Sequence, residues 1–193
     1  FGKEIKLPSS NLSMSQEQKN EELKKLVYSK WNEVKKAVPK ERHQEYLDGI
    51  NYELQAIIDT RMADYFLIDY KIVQRGLDKG GIITKSGRGS GVSYYVNSLL
   101  GFSDIDRFTS PVKLYPDRFM SKTRILQTRS LPDLDLNLGN PEVFAEAQDE
   151  VMAEIYESSH HSYPMISYKP LQNSSAFKLY AKSQNIDFAI ANE

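Results

Sequence analysis

Two aspartates separated by one residue, Asp133 and Asp135, are the side chains in this sequence best suited to metal chemistry. They alternate with Leu134, Leu136 and Leu138, and this period of two predicts a strand with one apolar face and one carboxylate face. Both carboxylates then point the same way, roughly 7 Å apart along the strand. Mg²⁺ prefers oxygen ligands at such spacing and often takes one or two protein carboxylates. The alternative is a solvent-facing edge strand whose acids have no chemical role.

A glycine-rich segment, residues 87–91, precedes the acidic segment. It follows a short predicted strand at Ile82–Thr84 and leads into a predicted helix, an order that presents backbone N–H groups to an anion. Glycines allow close approach to a phosphate, Ser90 adds a hydroxyl and Arg88 adds a fixed positive charge. The segment matches neither the Walker pattern nor the Rossmann pattern. An ordinary tight turn is therefore the alternative.

Four basic residues lie within fifteen residues upstream of Asp133. Each of them taken alone would be an ordinary surface charge. Beside an acidic metal site they are better explained as phosphate contacts, because the guanidinium group of arginine matches phosphate geometry. The four residues are Arg118, Lys122, Arg124 and Arg129.

Amphipathic helices must position these groups. Ser15 and Gln18 form a predicted capping box, and the apolar residues after them predict a helix to about Val38. Further helices are predicted over residues 42–60 and 62–74. Asn140 followed by Pro141 predicts the start of another helix directly after the acidic segment.

Composition excludes several classes of protein. The chain has 193 residues and is 40% hydrophobic. Its 25 basic and 26 acidic residues nearly cancel, so the total charge does not predict nonspecific binding to nucleic acid. The absence of cysteine excludes disulfides and thiolate chemistry and fits a reducing compartment. No long apolar run or signal peptide is present, so a soluble protein is expected. The first residue is Phe1 rather than Met, which suggests a piece of a longer polypeptide or a processed start.

Five motifs in a fixed order give this sequence a resemblance to a known family. Their order and spacing resemble the palm of the bacterial C-family replicative DNA polymerases, whose catalytic chain is the DNA polymerase III alpha subunit. The similarity spans nearly the whole chain, and the joint occurrence of the motifs is more specific than any one. The motifs are Asp64–Ile68, Gly87–Gly91, Asp104–Asp106, Arg118-Phe119 and Pro132–Asp135.

The resemblance implies an α+β fold: a polymerase-beta-like nucleotidyltransferase palm, with helices around a small mixed sheet, plus part of a helical thumb. The palm would cover residues 1–139, with a helical N-terminal portion at 15–60, and the incomplete thumb would cover 140–193. Asp133 and Asp135 would be catalytic and bind two Mg²⁺ ions. The incoming triphosphate would be bound by four residues, Arg88, Gly89, Ser90 and Arg118.

The same resemblance implies the activity and the partners. The reaction is template-directed addition of deoxynucleotides to a primer 3′-hydroxyl, with primer–template DNA and deoxynucleoside triphosphates as partners. A sliding clamp and other replisome subunits would bind parts of the parent chain outside this sequence. No membrane is involved, and the bacterial cytoplasm is the expected compartment.

This sequence departs from the family pattern in three places. Asn137 stands where the family usually has a third acid, and Val92–Tyr94 replaces the usual small residues after the turn. The remaining catalytic aspartate of the family lies further downstream, so this chain alone is expected to be inactive. Two alternatives stay open: another nucleotidyltransferase of the same superfamily, and a catalytically inactive interaction domain that binds a partner through the helix at Leu23–Val38.

Overall fold

The computed structural model describes residues 7–84, 89–128, 130–157, 163, 170–187 and 189–190. The chain divides into two compact units, Phe1–Ser162 and Tyr163–Glu193. None of the helices in the described part is long and apolar enough to cross a membrane. These helices are α1 (Gln16–Val34), α2 (His43–Asp59), α3 (Ala63–Asp78), α4 (Tyr95–Leu99), α5 (Lys122–Thr128), α6 (Pro141–Tyr156) and α7 (Asn173–Ser183).

Helix α1 begins at the predicted capping box. The Gln18 amide donates to Ser15 Oγ at 3.3 Å, and the Ser15 amide donates to the Gln18 side chain at 2.8 Å. The helix ends at Val34 rather than Val38, because the last residues before Pro39 tighten into a 3₁₀ turn. Its buried stripe, Leu23, Val27 and Trp31, joins the apolar faces of α2 and α3 in one core.

Helix α6 packs along α3. Phe144 of α6 lies so close to Gly76 of α3 that a Cβ at position 76 would be 2.4 Å from the ring. Arg75 donates to Glu150 at 3.1 Å and to Glu154 at 2.7 Å, which adds ion pairs beside this contact. The helix begins at Pro141 as predicted. The Asn140 side chain, however, accepts from the amide of Ile82 at 2.8 Å instead of capping its own helix.

The predicted α+β fold with a small mixed sheet is wrong. The described residues are helical and form no strand; the two predicted strands meet at one isolated antiparallel bridge, between Ile83 and Leu138. Two backbone bonds flank it, from Thr84 to Asn137 and from Gly139 to Ile82, each 2.8 Å long. A pair of strands this short is not stable as a sheet without further neighbours.

The second unit contains α7, an eleven-residue helix. Ala181 is its buried residue, whereas Phe177, Leu179 and Tyr180 are exposed. The predicted boundary between palm and thumb, at residues 139 and 140, is a statement about function and stays a prediction.

Candidate active site

The acidic segment, residues 131–138, has the two faces that its alternation predicts, although it is not a strand. Asp133 and Asp135 are exposed, whereas Leu134 and Leu136 are partly buried and pack against the core. Within the described part of the chain, neither carboxylate has a hydrogen bond or an ion pair to another side chain. Both acids are therefore available to an external ligand.

Tyr65 of α3 supplies the hydrogen bonds that a neighbouring strand would otherwise give this segment. Its hydroxyl donates to the carbonyl of Pro132 at 3.0 Å and accepts from the amide of Leu134 at 3.2 Å. Burial raises the pKa of Tyr65, and the nearby carboxylates of Asp69, Asp133 and Asp135 add to that rise. Sequence reasoning gave Tyr65 no role, because an aromatic residue in an apolar helix is indistinguishable from a core residue.

Gly89 brings the glycine-rich turn into direct contact with the acidic segment. Its backbone has φ +70°, in the left-handed region, and a Cβ built on it would lie 1.8 Å from Asp135 Oδ2. No side chain fits at position 89 unless Asp135 moves. The two motifs that are far apart in the sequence thus share one surface.

The three other predicted triphosphate ligands, Ser90, Arg118 and Arg88, differ in where the structure places them. Ser90 is partly buried beside Gly89, and its carbonyl accepts from the amide of Ser93 at 3.0 Å. Arg118 is exposed on the 3₁₀ turn Pro116–Arg118, which packs on the 3₁₀ turn Gly91–Ser93, so it lies near the same site. Arg88 lies outside the described residues.

The first amides of the helix after the turn are not free for an anion. The amide of Val96 donates to Glu53 Oε2 at 2.8 Å, so a protein carboxylate already occupies the N-terminus of α4. Glu53 is fully buried and also accepts from Arg107 Nε at 2.7 Å. Burial raises the pKa of Glu53 to about 7, and Arg107 and the amides of Val96 and Tyr95 oppose the rise. An anion at this site must use the turn itself rather than the helix.

The remaining basic residues of the predicted cluster are dispersed. Lys122 at the start of α5 pairs with Asp59 at 2.8 Å, on the surface of α2. Arg124 is exposed on α5. Arg129 lies outside the described residues. A phosphate-binding role stays a prediction for these three residues.

Asp64 and Asp106, which belong to two other motifs, are hydrogen-bonded within the chain. Asp64 is buried and accepts from the amide and the hydroxyl of Ser10, at 2.6 and 2.8 Å, and from Lys19 Nζ at 3.2 Å. Asp106 accepts from the hydroxyl of Tyr46 at 2.6 Å and from the amide of Phe108 at 2.8 Å. Both acids fix local geometry through these hydrogen bonds.

Two exposed carboxylates can hold Mg²⁺ only together with water and substrate oxygens. Among the described residues, no group of three or more acidic, histidine or cysteine side chains is arranged to hold a metal ion. Asp133 and Asp135 are hard, unpaired oxygen donors at an open surface, and Mg²⁺ usually keeps several waters and substrate phosphates in its shell. The donor set thus fits a metal shared with a bound triphosphate.

Comparison with known proteins gives a consistent result. Residues 21–193 match the sequence family described as the bacterial DNA polymerase III alpha NTPase domain. The chain is 29% identical to the DNA polymerase III alpha subunit of Ureaplasma parvum over 153 residues, 77% of this chain and 14% of that protein. It is 30% identical to the Bacillus subtilis subunit over 139 residues, 70% of this chain and 11% of that protein. The matched region is thus a small part of either relative.

Proposed function

This chain belongs to the bacterial DNA polymerase III alpha family, and we propose that it forms the metal- and nucleotide-binding part of a DNA-directed DNA polymerase. The observation that carries the proposal is the contact between Gly89 of the glycine-rich turn and the Asp135 carboxylate. It joins a turn suited to phosphate with acids suited to Mg²⁺ on one surface.

In this proposal residues 1–139 act as a palm, which in this chain is built from helices, and residues 140–193 begin the thumb that contacts the duplex. Primer–template DNA and deoxynucleoside triphosphates are the substrates, and the bacterial cytoplasm is the compartment. The sliding clamp and other replisome subunits bind elsewhere on the parent polymerase. This chain alone is not expected to polymerise DNA, because two carboxylates form an incomplete site for two ions.

Asp133 and Asp135 would hold two Mg²⁺ ions, which when bound activate the primer hydroxyl and stabilise the charge that develops on the leaving pyrophosphate. The absence of a side chain at Gly89 makes room for the Asp135 carboxylate, and the backbone of Gly89 with the neighbouring Ser90 hydroxyl would contact the triphosphate beside it. Exposed Arg118 would contact the negatively charged phosphate tail and neutralise part of its charge. Each of these side chains binds or orients the substrate.

Primer extension by the parent polymerase tests the proposal. Asp133→Ala combined with Asp135→Ala should lower the rate at least about a thousandfold, because the metal-dependent step is lost. The matched control is Asp78→Ala combined with Asp149→Ala, which removes two other exposed acids. Extension by the double variant at the wild-type rate would contradict the proposal. An inactive wild-type polymerase would instead favour the interaction-domain alternative.

A further inference from the structure

The backbone on both sides of Asp133 is held by a single oxygen atom. The Tyr65 hydroxyl accepts from the amide of Leu134 and donates to the carbonyl of Pro132, the residues directly after and before Asp133. The Asp133 side chain has no hydrogen bond of its own among the described residues. Its direction is therefore set by its backbone, and its backbone is fixed by Tyr65.

Tyr65 itself stands on a rigid support. The neighbouring Asp64 is buried and bound by Ser10 and Lys19, and Phe66 is fully buried in the core. These contacts fix the first turn of α3 and with it the position of the Tyr65 ring. The acidic segment has no regular secondary structure between residues 130 and 137. A fixed helix thus positions an otherwise irregular segment through one phenol.

We propose that Tyr65 is a positioning residue that holds the Asp133 carboxylate in the orientation needed to bind a divalent cation, an inference that rests on the proposed function. Side chains that orient a metal ligand through hydrogen bonds contribute to metal affinity although they do not touch the metal. Without the hydroxyl, the carbonyl of Pro132 and the amide of Leu134 turn toward water, and Asp133 samples several directions. Ordering it then costs part of the binding free energy.

The test compares Tyr65→Phe with Tyr70→Phe. Both substitutions remove one phenol oxygen from a partly buried ring on α3, and Tyr70 makes no hydrogen bond to the described residues. In the parent polymerase, the dissociation constant for Mn²⁺, measured by electron paramagnetic resonance, should rise about tenfold in Tyr65→Phe. Half-maximal primer extension should need correspondingly more Mg²⁺ and recover at saturating Mg²⁺. Tyr70→Phe should change neither value.

Hydrogen exchange in this chain gives a readout that is independent of activity. In Tyr65→Phe the amide of Leu134 should exchange faster, while amides in the middle of α1 and α2 keep their wild-type rates. Faster exchange throughout the chain would mean a general loss of stability, and it would overturn a specific positioning role. Unchanged exchange at Leu134 would overturn the hydrogen bond itself.

Asp133→Asn separates this inference from the proposed function. If Asp133→Asn weakens Mn²⁺ binding and Tyr65→Phe does not, the positioning role is wrong and the proposed function stands. If Asp133→Asn leaves Mn²⁺ binding unchanged, or the wild-type polymerase binds no Mn²⁺, the proposed function is wrong and the inference falls with it. Weaker binding in both variants, with Tyr70→Phe unchanged, is the result expected here.

Discussion

The buried acids and the exposed acids of this chain differ in what surrounds them. Glu53 and Asp64 lie inside the protein, and each accepts hydrogen bonds from a backbone amide and a cationic side chain. Asp133 and Asp135 lie at the surface, Asp135 beside Gly89, and neither has such a partner among the described residues. A buried charge persists only when it is paired, whereas an exposed pair of like charges is free to take up a cation. The comparison separates acids that stabilise the fold from acids available for chemistry.

The largest effect on stability is expected at Glu53. Glu53→Ala leaves the nearly buried guanidinium of Arg107 unpaired and should lower the free energy of unfolding by about 3–5 kcal/mol. Urea denaturation measures this loss. The control is Glu21→Ala, which removes a surface partner of Lys24 and should cost at most about 1 kcal/mol. Asp133→Ala with Asp135→Ala should change stability by less than about 0.5 kcal/mol. An equal loss of unfolding free energy at Glu53 and at the Asp133–Asp135 pair would contradict the distinction between buried and exposed acids.

Asp69 is an intermediate case, and it predicts a dependence on pH. It is partly buried, has no ion pair among the described residues, and burial raises its pKa to about 7. The unfolded chain releases this proton near pH 4 and the folded chain near pH 7, so stability falls as pH rises between these values. The side chain of Asp69→Asn does not ionise, so the stability of this variant should not fall over that pH range.

The variant Asp69→Asn should therefore match wild type at pH 4 and be more stable by about 2 kcal/mol at pH 8. This gain is smaller than the whole pKa shift would give, because the residue is partly exposed. Thermal and urea unfolding at the two pH values measure the difference. A gain that is the same at pH 4 and pH 8 would show that ionisation of Asp69 is not its cause.

A smaller loss of stability than at Glu53 is expected at Gly89, where a second glycine allows a matched comparison. Gly89 and Gly80 both have positive φ, +70° and +84°, so alanine at either position should cost about 1–2 kcal/mol of backbone strain. A Cβ at position 80 meets nothing within 4 Å, whereas one at position 89 collides with Asp135. Only Gly89→Ala should therefore also weaken Mn²⁺ binding by the parent polymerase. Equal Mn²⁺ affinity in the two variants would show that the contact with Asp135 is irrelevant to the site.

Local sequence signals predicted the helices and the outward direction of the acids. The capping box at Ser15 and the apolar spacing of α1 placed that helix, because helix formation depends on neighbours three and four residues apart. The alternation at Asp133 and Asp135 predicted their common exposure for the same local reason.

Long-range contacts explain what the sequence did not predict. The alternation of the acidic segment predicted a strand. The hydroxyl of Tyr65, distant in sequence, instead hydrogen-bonds the carbonyl of Pro132 and the amide of Leu134, which a neighbouring strand would otherwise bind. The turn before α4 looked like an anion site at a helix start, but Glu53 of α2 occupies the first amides of that helix. Period and propensity carry no information about such partners.

Paramagnetic broadening by Mn²⁺ tests the central distinction most directly, because it detects even weak binding and locates it residue by residue. Mn²⁺ titrated into this chain should broaden the amide signals of Leu134 and Leu136 first, together with those of Gly89 and Ser90. The amides around Glu53 and Asp64 should stay sharp, since their carboxylates already have partners. Broadening that begins at exposed acids of α6 such as Glu142 and Asp149, or is equal at all carboxylates, would contradict the assignment of Asp133 and Asp135 as the metal-binding acids.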